Sequence, residues 1–336
     1  MRQRWMACAV AVSVAFGGCS DGGAQVEDTS AADVAGDTTS VDSTAPADTA
    51  AADDTASPGD TVVAVDTTSL DTTTGPEVTT HQVAIGPFSV EAGVEKTMCA
   101  TIDLGNAEPG VIRGLRTHLT AGSHHMIVHI LDEPADPTPR PCGAFSHGMG
   151  QKVLFIAQQR ESGLAYPADS GLPIGAHQSI GLELHFINYF AEDKVDIEGL
   201  VDVDLAPEGS VTDEVHVLFT GDLSFTIPAE STFTETSWWP VGAGSRVLAM
   251  TSHTHQLGTY ASIRVASGPN DTTGELLHES TSWSDPPLTE FDPLLTFDSG
   301  SGLLLTCEFD NPNSYAVGFG TGFNDEMCFM WLYYLQ

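Results

Sequence analysis

Positive charge is what this chain has least of. Eleven Lys and Arg stand against 46 Asp and Glu, for a formal net charge of −35. Phosphate backbones and anionic lipid surfaces are gripped through Lys and Arg, so this balance excludes nucleic acid and acidic membrane faces as partners. An anionic substrate meets long-range repulsion, whereas a neutral or cationic one does not. A membrane-spanning run is also missing at the N-terminus, where the apolar stretch 6–16 falls short of the roughly 20 residues a transmembrane helix needs. No segment carries a long, clean helical period, which excludes a helical bundle. Between residues 20 and 80 there is no Lys, no Arg and no aromatic side chain.

What the N-terminus has is a targeting pattern. Arg2 and Arg4 precede the apolar run, and Gly17-Gly18-Cys19-Ser20 places small residues directly before a cysteine. This resembles a bacterial lipobox, although Phe16 replaces the usual aliphatic residue. It predicts a signal peptide over residues 1–18, lipidation of Cys19, and anchoring in the cell envelope. Ser20 lacks the acidic side chain that retains lipoproteins at the inner membrane, so the expected location is the outer membrane. Residues 19–80, rich in Asp, Thr and Ala, hold too little apolar surface to offset chain entropy, and their like charges repel. They are expected to be a disordered spacer. Of six cysteines, Cys8 leaves with the signal and Cys19 takes lipid. The remaining Cys99, Cys142, Cys307 and Cys328 are an even set in an oxidising compartment and read as two disulfides, with three pairings open.

From about residue 85 the texture changes to short apolar runs between Gly, Pro and Asp. Strands are predicted over 126–131, 179–187, 200–205, 215–220, 246–251, 261–266, 303–309 and 329–335, many of them alternating apolar and polar residues. Short strands at regular spacing with turn signals define an all-β fold, a β-sandwich or jelly roll. The length suits two tandem antiparallel sandwiches, with boundaries at 81–207 and 208–336 around the turn formers Ala206-Pro207-Glu208-Gly209-Ser210.

Two histidine groups stand out in those halves. In Ser252-His253-Thr254-His255, imidazoles at i and i+2 face the same side of a strand and can share one metal ion. A cupin would place a ligating Glu a few residues later, where this chain has Gln256, Leu257 and Gly258. Zinc would call for a further carboxylate or thiolate. Downstream, Asp325-Glu326-Met327-Cys328 offers a thioether, and two His with one Met suit copper in both oxidation states. In the first half, His124 and His125 are adjacent, so both can reach one ion only where the backbone bulges. His185 lies in the strand-like Leu182-Glu183-Leu184-His185-Phe186, with His129, His147 and His177 as rivals. His118, His216 and His278 read as structural or exposed.

The order His-His, then His185, then His-x-His, then Met resembles the copper type II, ascorbate-dependent monooxygenases, the family of peptidylglycine α-hydroxylating monooxygenase and dopamine β-monooxygenase. The resemblance extends over nearly all of residues 85–336. It implies two tandem β-domains with one copper each, held by His124, His125 and His185 and by His253, His255 and Met327. It also favours the pairings Cys99–Cys142 and Cys307–Cys328. In such enzymes a reductant such as ascorbate loads each copper with one electron, dioxygen is used at the methionine-containing site, and oxygen is delivered to a C–H carbon. His253, His255 and Met327 are therefore the expected catalytic set.

The peptide-amidating branch reads its substrate's carboxylate with an arginine two residues before the His-x-His pair. Here that position is Thr251, and Cys328 is followed by Phe329, Met330 and Trp331. Without the bidentate cation, the expected substrate is a small molecule other than a glycine-extended peptide, with Phe329 and Trp331 lining an apolar pocket or filling core. Glu183 stands where that branch carries glutamine. No feature points to a protein partner. The alternatives are a copper-binding envelope lipoprotein for capture or sensing without turnover, and an adhesive β-sandwich with decayed sites, against which all six ligand positions are filled.

Overall fold

The structure, a computed structural model, describes residues 77–148 and 153–335. The expected signal peptide, Cys19 and the tether as far as residue 76 lie outside them. Every regular element among the described residues is a strand. The first half holds β1 (Thr79–Val90), β2 (Glu95–Asp103), β3 (Gly110–Leu119), β4 (Ser123–Leu131), β5 (Asp136–Pro141), β6 (Val153–Ala157), β7 (Glu161–Ala165), β8 (Ser170–Ile174), β9 (Ser179–Ile187) and β10 (Lys194–Pro207). The second half holds β11 (Asp213–Gly221), β12 (Thr226–Ile227), β13 (Ser231–Pro240), β14 (Arg246–His253) and β15 (Gly258–Ala266). It continues with β16 (Leu276–Ser280), β17 (Thr289–Thr296), β18 (Gly302–Asn311), β19 (Val317–Gly318) and β20 (Phe329–Leu335). The first described strand starts at Thr79, two residues before the expected boundary at 81. Thr79 already pairs with Leu205, and the Thr80 hydroxyl donates to Asp204 at 2.7 Å.

Three sheets carry the fold. A five-stranded sheet runs β5-β2-β9-β4-β6, a four-stranded sheet runs β13-β18-β15-β16, and a nine-stranded sheet runs β1-β10-β3-β8-β11-β20-β14-β17 with β7 attached to β3. Ile85, Leu115 and Val201 of the long sheet pack with Met126, Leu182 and Phe186 of the five-stranded sheet in one core. Met250, Met330 and Leu332 pack with Ile263, Leu305 and Phe309 of the four-stranded sheet in a second core. Inner faces of two sheets thus bury their apolar residues against each other, as in sandwiches. The halves also share the long sheet. A short parallel pairing, Asp213 with Ser170 and Glu214 with Gly171, joins β8 to β11.

Strand β20 is apolar throughout because both of its faces are covered. Phe329, Trp331, Tyr333 and Leu335 belong to the first core, while Met330 and Leu332 belong to the second. The period of 2 along a strand divides its side chains in this way. Two disulfides, Cys99–Cys142 and Cys307–Cys328, each close within one half, in agreement with the pairing the resemblance favoured.

Candidate metal centre

The adjacent pair His124-His125 needed a bulge, and the backbone has one. Ser123 is opposite Phe186 and His125 is opposite His185, so the register of β4 against β9 slips between Ser123 and His125. Gly122 enters the bulge at φ +100°, where a Cβ would lie 2.9 Å from the Phe186 ring. Both imidazoles consequently turn inward, with ring centres 4.9 Å apart, and His125 lies 5.1 Å from His185 across the sheet.

The His253/His255 pair converges differently from the strand expectation. β14 ends at His253, and His255 lies beyond it, in a turn closed by the Gly258 N–H donating to the His255 carbonyl at 2.9 Å. The buried Glu326 carboxylate holds that turn. It accepts the N–H of His255 at 3.0 Å and of Leu257 at 2.7 Å, and burial pushes its pKa up to about 7 despite these donors. The two rings stand 5.3 Å apart and nearly perpendicular.

The two groups, expected one per half, meet in a single cluster. His124 lies 5.3 Å from both His185 and His253 and 5.7 Å from His255, and His125 lies 5.1 Å from His253. All five histidines are between 1 and 6% exposed. Two triads have one ring nitrogen per residue within 4.8 Å of the others, namely His124/His253/His255 and His124/His125/His185. Burial, followed by mutual repulsion among the rings, lowers the pKa of His124, His125 and His253 well below the ordinary imidazole value, and burial takes His255 down to about 4. At neutral pH these four rings are uncharged and present lone pairs, which is the form that ligates metal.

Hydrogen bonds fix three of the tautomers. The His253 Nδ1–H donates to Gln158 Oε1 at 2.6 Å. The Gln158 amide cannot be reversed, because its Nε2 donates to the Ser252 carbonyl at 2.9 Å and to Thr251 Oγ1 at 3.0 Å. His255 Nδ1–H donates to the Asp325 carbonyl at 2.9 Å, so both second-half rings offer Nε2. His185 Nε2–H donates to the Glu95 carboxylate at 2.7 Å, which leaves Nδ1 as the lone-pair nitrogen, and Glu95 also accepts the Phe323 N–H at 3.1 Å. Acceptors of this kind are what orient metal-ligating imidazoles. By contrast, both nitrogens of His124 and Nδ1 of His125 are buried with no hydrogen-bond partner. Orphaned, uncharged and convergent nitrogens fit a copper ion.

Met327 is buried between Glu326 and the disulfide at Cys328, within the first core. Of the rivals to His185, His129 packs its ring 5.1 Å from His147, which lies 3.7 Å from Glu133, and His177 is exposed beside Asp103. His118 pairs with Glu161 at the surface, and His216 packs on Tyr334. His278 is a buried structural histidine between the Ser252 and Thr289 hydroxyls. Thr251 is buried and donates to the Pro287 carbonyl at 2.9 Å. Phe329 and Trp331 are core residues with Phe219 stacked on both, although the Trp331 ring centre lies 5.9 Å from that of His253, the rings nearly perpendicular. Glu183, also pushed up to about 7 by burial, accepts the N–H groups of Phe145 and Ser146 and so ties down the loop after Cys142. The sequence reasoning missed Gln158, Glu95, Glu326 and Trp283, whose ring lies 5.4 Å from His124. Only Glu326, next to the expected ligand Met327, carried a local signal.

Residues 220–336 match the family model described as copper type II ascorbate-dependent monooxygenase, C-terminal domain. The matched segment includes His253, His255, Met327 and the Cys307–Cys328 pair, and it supports that family. The histidines of the first half lie outside it. No curated protein matches the sequence. Among solved structures, the chain is similar to the major capsid protein P2 of bacteriophage PM2, with TM-score 0.33, 9% identity, and coverage of 77% of this chain and 98% of that one. It is also similar to the STIV MCP, with TM-score 0.33, 10% identity, and coverage of 77% and 96%. Broad Bean Stain Virus follows, with TM-score 0.31, 10% identity, and coverage of 81% and 94%. Likeness of this size carries no argument about activity.

Proposed function

We propose that this protein is a copper-dependent monooxygenase that hydroxylates a C–H bond of a small substrate with dioxygen and a reductant such as ascorbate. The carrying observation is the convergence of His124, His125, His185, His253 and His255 as buried imidazoles with unused nitrogens, beside a segment that matches the family model. In this reading His124, His125 and His185 hold one copper and His253, His255 and Met327 hold the second. Bound copper supplies reversible one-electron redox chemistry and a place for dioxygen. Gln158, Asp325 and Glu95 keep three of the rings in the ligating tautomer, and the surrounding core excludes water. Thr251, engaged with Pro287 and Gln158, leaves no cation there for a carboxylate, so peptidylglycine is a poor substrate. The chain is anchored through lipidated Cys19, in the outer membrane, and Cys19→Ala releases it to the soluble fraction.

Near-complete burial of all five rings favours a second reading, a copper-capturing envelope lipoprotein without turnover. Oxygen uptake separates the two. Copper-loaded protein with ascorbate and a panel of phenethylamines, alkyl aromatics and short peptides consumes oxygen above free-copper background, and His253→Ala, His255→Ala or Met327→Ile abolishes the excess. Uptake at background with every substrate, in protein that retains copper, overturns the enzyme reading in favour of capture.

A further inference from the structure

We propose that the loops 91–94 and 188–193 form a lip that dips into a zwitterionic lipid surface. The inference rests on the membrane anchoring proposed above but concerns which face of the folded part meets the bilayer. Eight large hydrophobic side chains are exposed among the described residues, and four belong here: Val94, Tyr189, Phe190 and, at the foot of the second loop, Val195. The two loops are tied to each other. The buried Asn188 side-chain amide donates to the carbonyls of Val90 and Glu91 at 3.0 Å and of Glu192 at 2.9 Å. The Gly93 N–H donates to the Asn188 carbonyl at 2.9 Å, the Asn188 N–H to the Val94 carbonyl at 3.0 Å, and the Ala92 N–H to Asp193 Oδ1 at 2.9 Å. Loops held this firmly while exposing aromatic side chains mark an interaction surface.

Composition selects the partner. A stable protein interface takes about 20–30 residues a side, and four side chains fall far short. Aromatic rings with lysine beside them suit the boundary between acyl chain and headgroup. The chain has three lysines, and two are here: Lys194 places Nζ 3.8 Å from the Phe190 ring centre, and Lys96 pairs with Glu91 at 2.6 Å. Glu91, Glu192 and Asp193 repel anionic lipid. The outermost charge of a choline headgroup is a cation, which carboxylates and aromatic faces both attract.

The anchor can reach. The described chain begins at Glu77, and the 12 residues of β1 end at Val90, directly before the first loop. Such a strand is roughly 40 Å long, whereas residues 20–76 can span at most roughly 190–205 Å. The chain is therefore long enough for the far end of β1 to turn back to the bilayer. Ring contacts lead inward from the lip, from Tyr189 to Phe323 at 5.5 Å, on to Trp283 at 6.0 Å, and to His124 at 5.4 Å. The docked lip thus sets the candidate metal centre beside the bilayer.

The test is a nitroxide on Val195→Cys in the full-length lipoprotein, reconstituted in phosphatidylcholine vesicles. Tyr315→Cys, at a second-half position 57% exposed, is the control. Accessibility to oxygen, which concentrates in the bilayer, is compared with accessibility to a water-soluble nickel chelate. The expected oxygen-to-nickel ratio is several-fold higher at 195 than at 315, and adding Tyr189→Ser and Phe190→Ser returns it to the control value. Equal ratios at the two positions, or a ratio at 195 that the serine changes leave unmoved, overturns the lip. Spin–spin broadening at 195 overturns it in favour of a second copy of the chain. Intact mass of the same sample reports the acyl chains on Cys19. An unacylated chain overturns the anchor on which the proposal rests, whereas an acylated chain with an aqueous label at 195 overturns the lip alone.

Discussion

Gln158 reaches from the end of β6 in the first half to His253 in the second, and Gln158→Leu isolates what that contact does. Leucine has a similar volume but neither accepts nor donates. The His253 Nδ1–H loses its acceptor, and the Ser252 carbonyl loses a donor, while Thr251 Oγ1 keeps the Pro287 carbonyl. A buried polar group left without a partner costs about 1–3 kcal/mol. Two such groups, less some gain from leucine burial, predict a loss of roughly 2–4 kcal/mol in urea unfolding of the metal-free protein. The ring is also free to exchange tautomers. Hydrogen-bond partners of ligating histidines are worth about 10–100-fold in metal affinity, or about 1.4–2.8 kcal/mol. Competition against a chromophoric Cu(I) chelator reads this separately. Gln158→Glu keeps the acceptor and loses both donors, so it sacrifices stability while retaining most of the affinity. Leucine binding Cu(I) within about twofold of the parent refutes the orienting role, since the expected effect is at least tenfold. Equal affinity loss in the leucine and glutamate variants refutes the acceptor assignment.

Cys307→Ser with Cys328→Ser opens a loop of sequence separation 21 and lowers the unfolding free energy by about 3 kcal/mol, measured by urea denaturation against the parent. Gly258→Ala places a Cβ 2.6 Å from that of Thr254, inside the turn that carries His255. It costs about 1–3 kcal/mol and lowers copper occupancy measured after dialysis, whereas parent-like occupancy would separate the turn from the site. Met327→Ile nearly conserves volume, so thermal unfolding of the metal-free protein shifts by less than about 1.5 kcal/mol. The same variant weakens Cu(I) more than Cu(II) binding, and an equal loss of both removes the thioether from the ligand set. Copper at a hundredfold excess over its dissociation constant stabilises the parent by about 2.7 kcal/mol in calorimetry; the His125→Ala/His253→Ala double variant shows no such gain.

All eight runs read as strands from periodicity lie inside strands, and two of them, 179–187 and 329–335, match β9 and β20 end to end. Two of the strands passed over have a reason in proline. β5 reads Asp-Pro-Thr-Pro-Arg-Pro, and β17 contains Pro293; proline argues against a strand unless it lies at an edge, and both strands are edges of their sheets. The His124 bulge was legible because adjacent ligands demand one. The off-strand place of His255 was not, since the carboxylate that bends the backbone there comes from Glu326, far along the chain. Gln158 and Glu95 were invisible for the same reason. Each is ordinary in its own segment: Glu95 acquires a role only when β2 pairs with β9 and reaches His185, and Gln158 only when the two halves meet.

The two-sided burial of β20 bears on how the chain can be divided. The segment that matches the family model, residues 220–336, contains this whole strand, yet Phe329, Trp331, Tyr333 and Leu335 belong to the core of the other half. Burying each contributes about 1.5–3 kcal/mol, roughly 6–12 kcal/mol for the four, which equals the net stability of a typical domain. Cut free, the segment would present a hydrophobic row along a β20 edge whose partner β11 (Asp213–Gly221) lies almost wholly before residue 220. It would recruit another copy or aggregate before it folded. The first half, deprived of those four side chains and of the Tyr333 hydroxyl that accepts the Ile156 N–H, would be left with a trough in its core. The two halves are therefore expected to fold as one unit, and either one expressed alone is predicted to be insoluble or to lack cooperative unfolding.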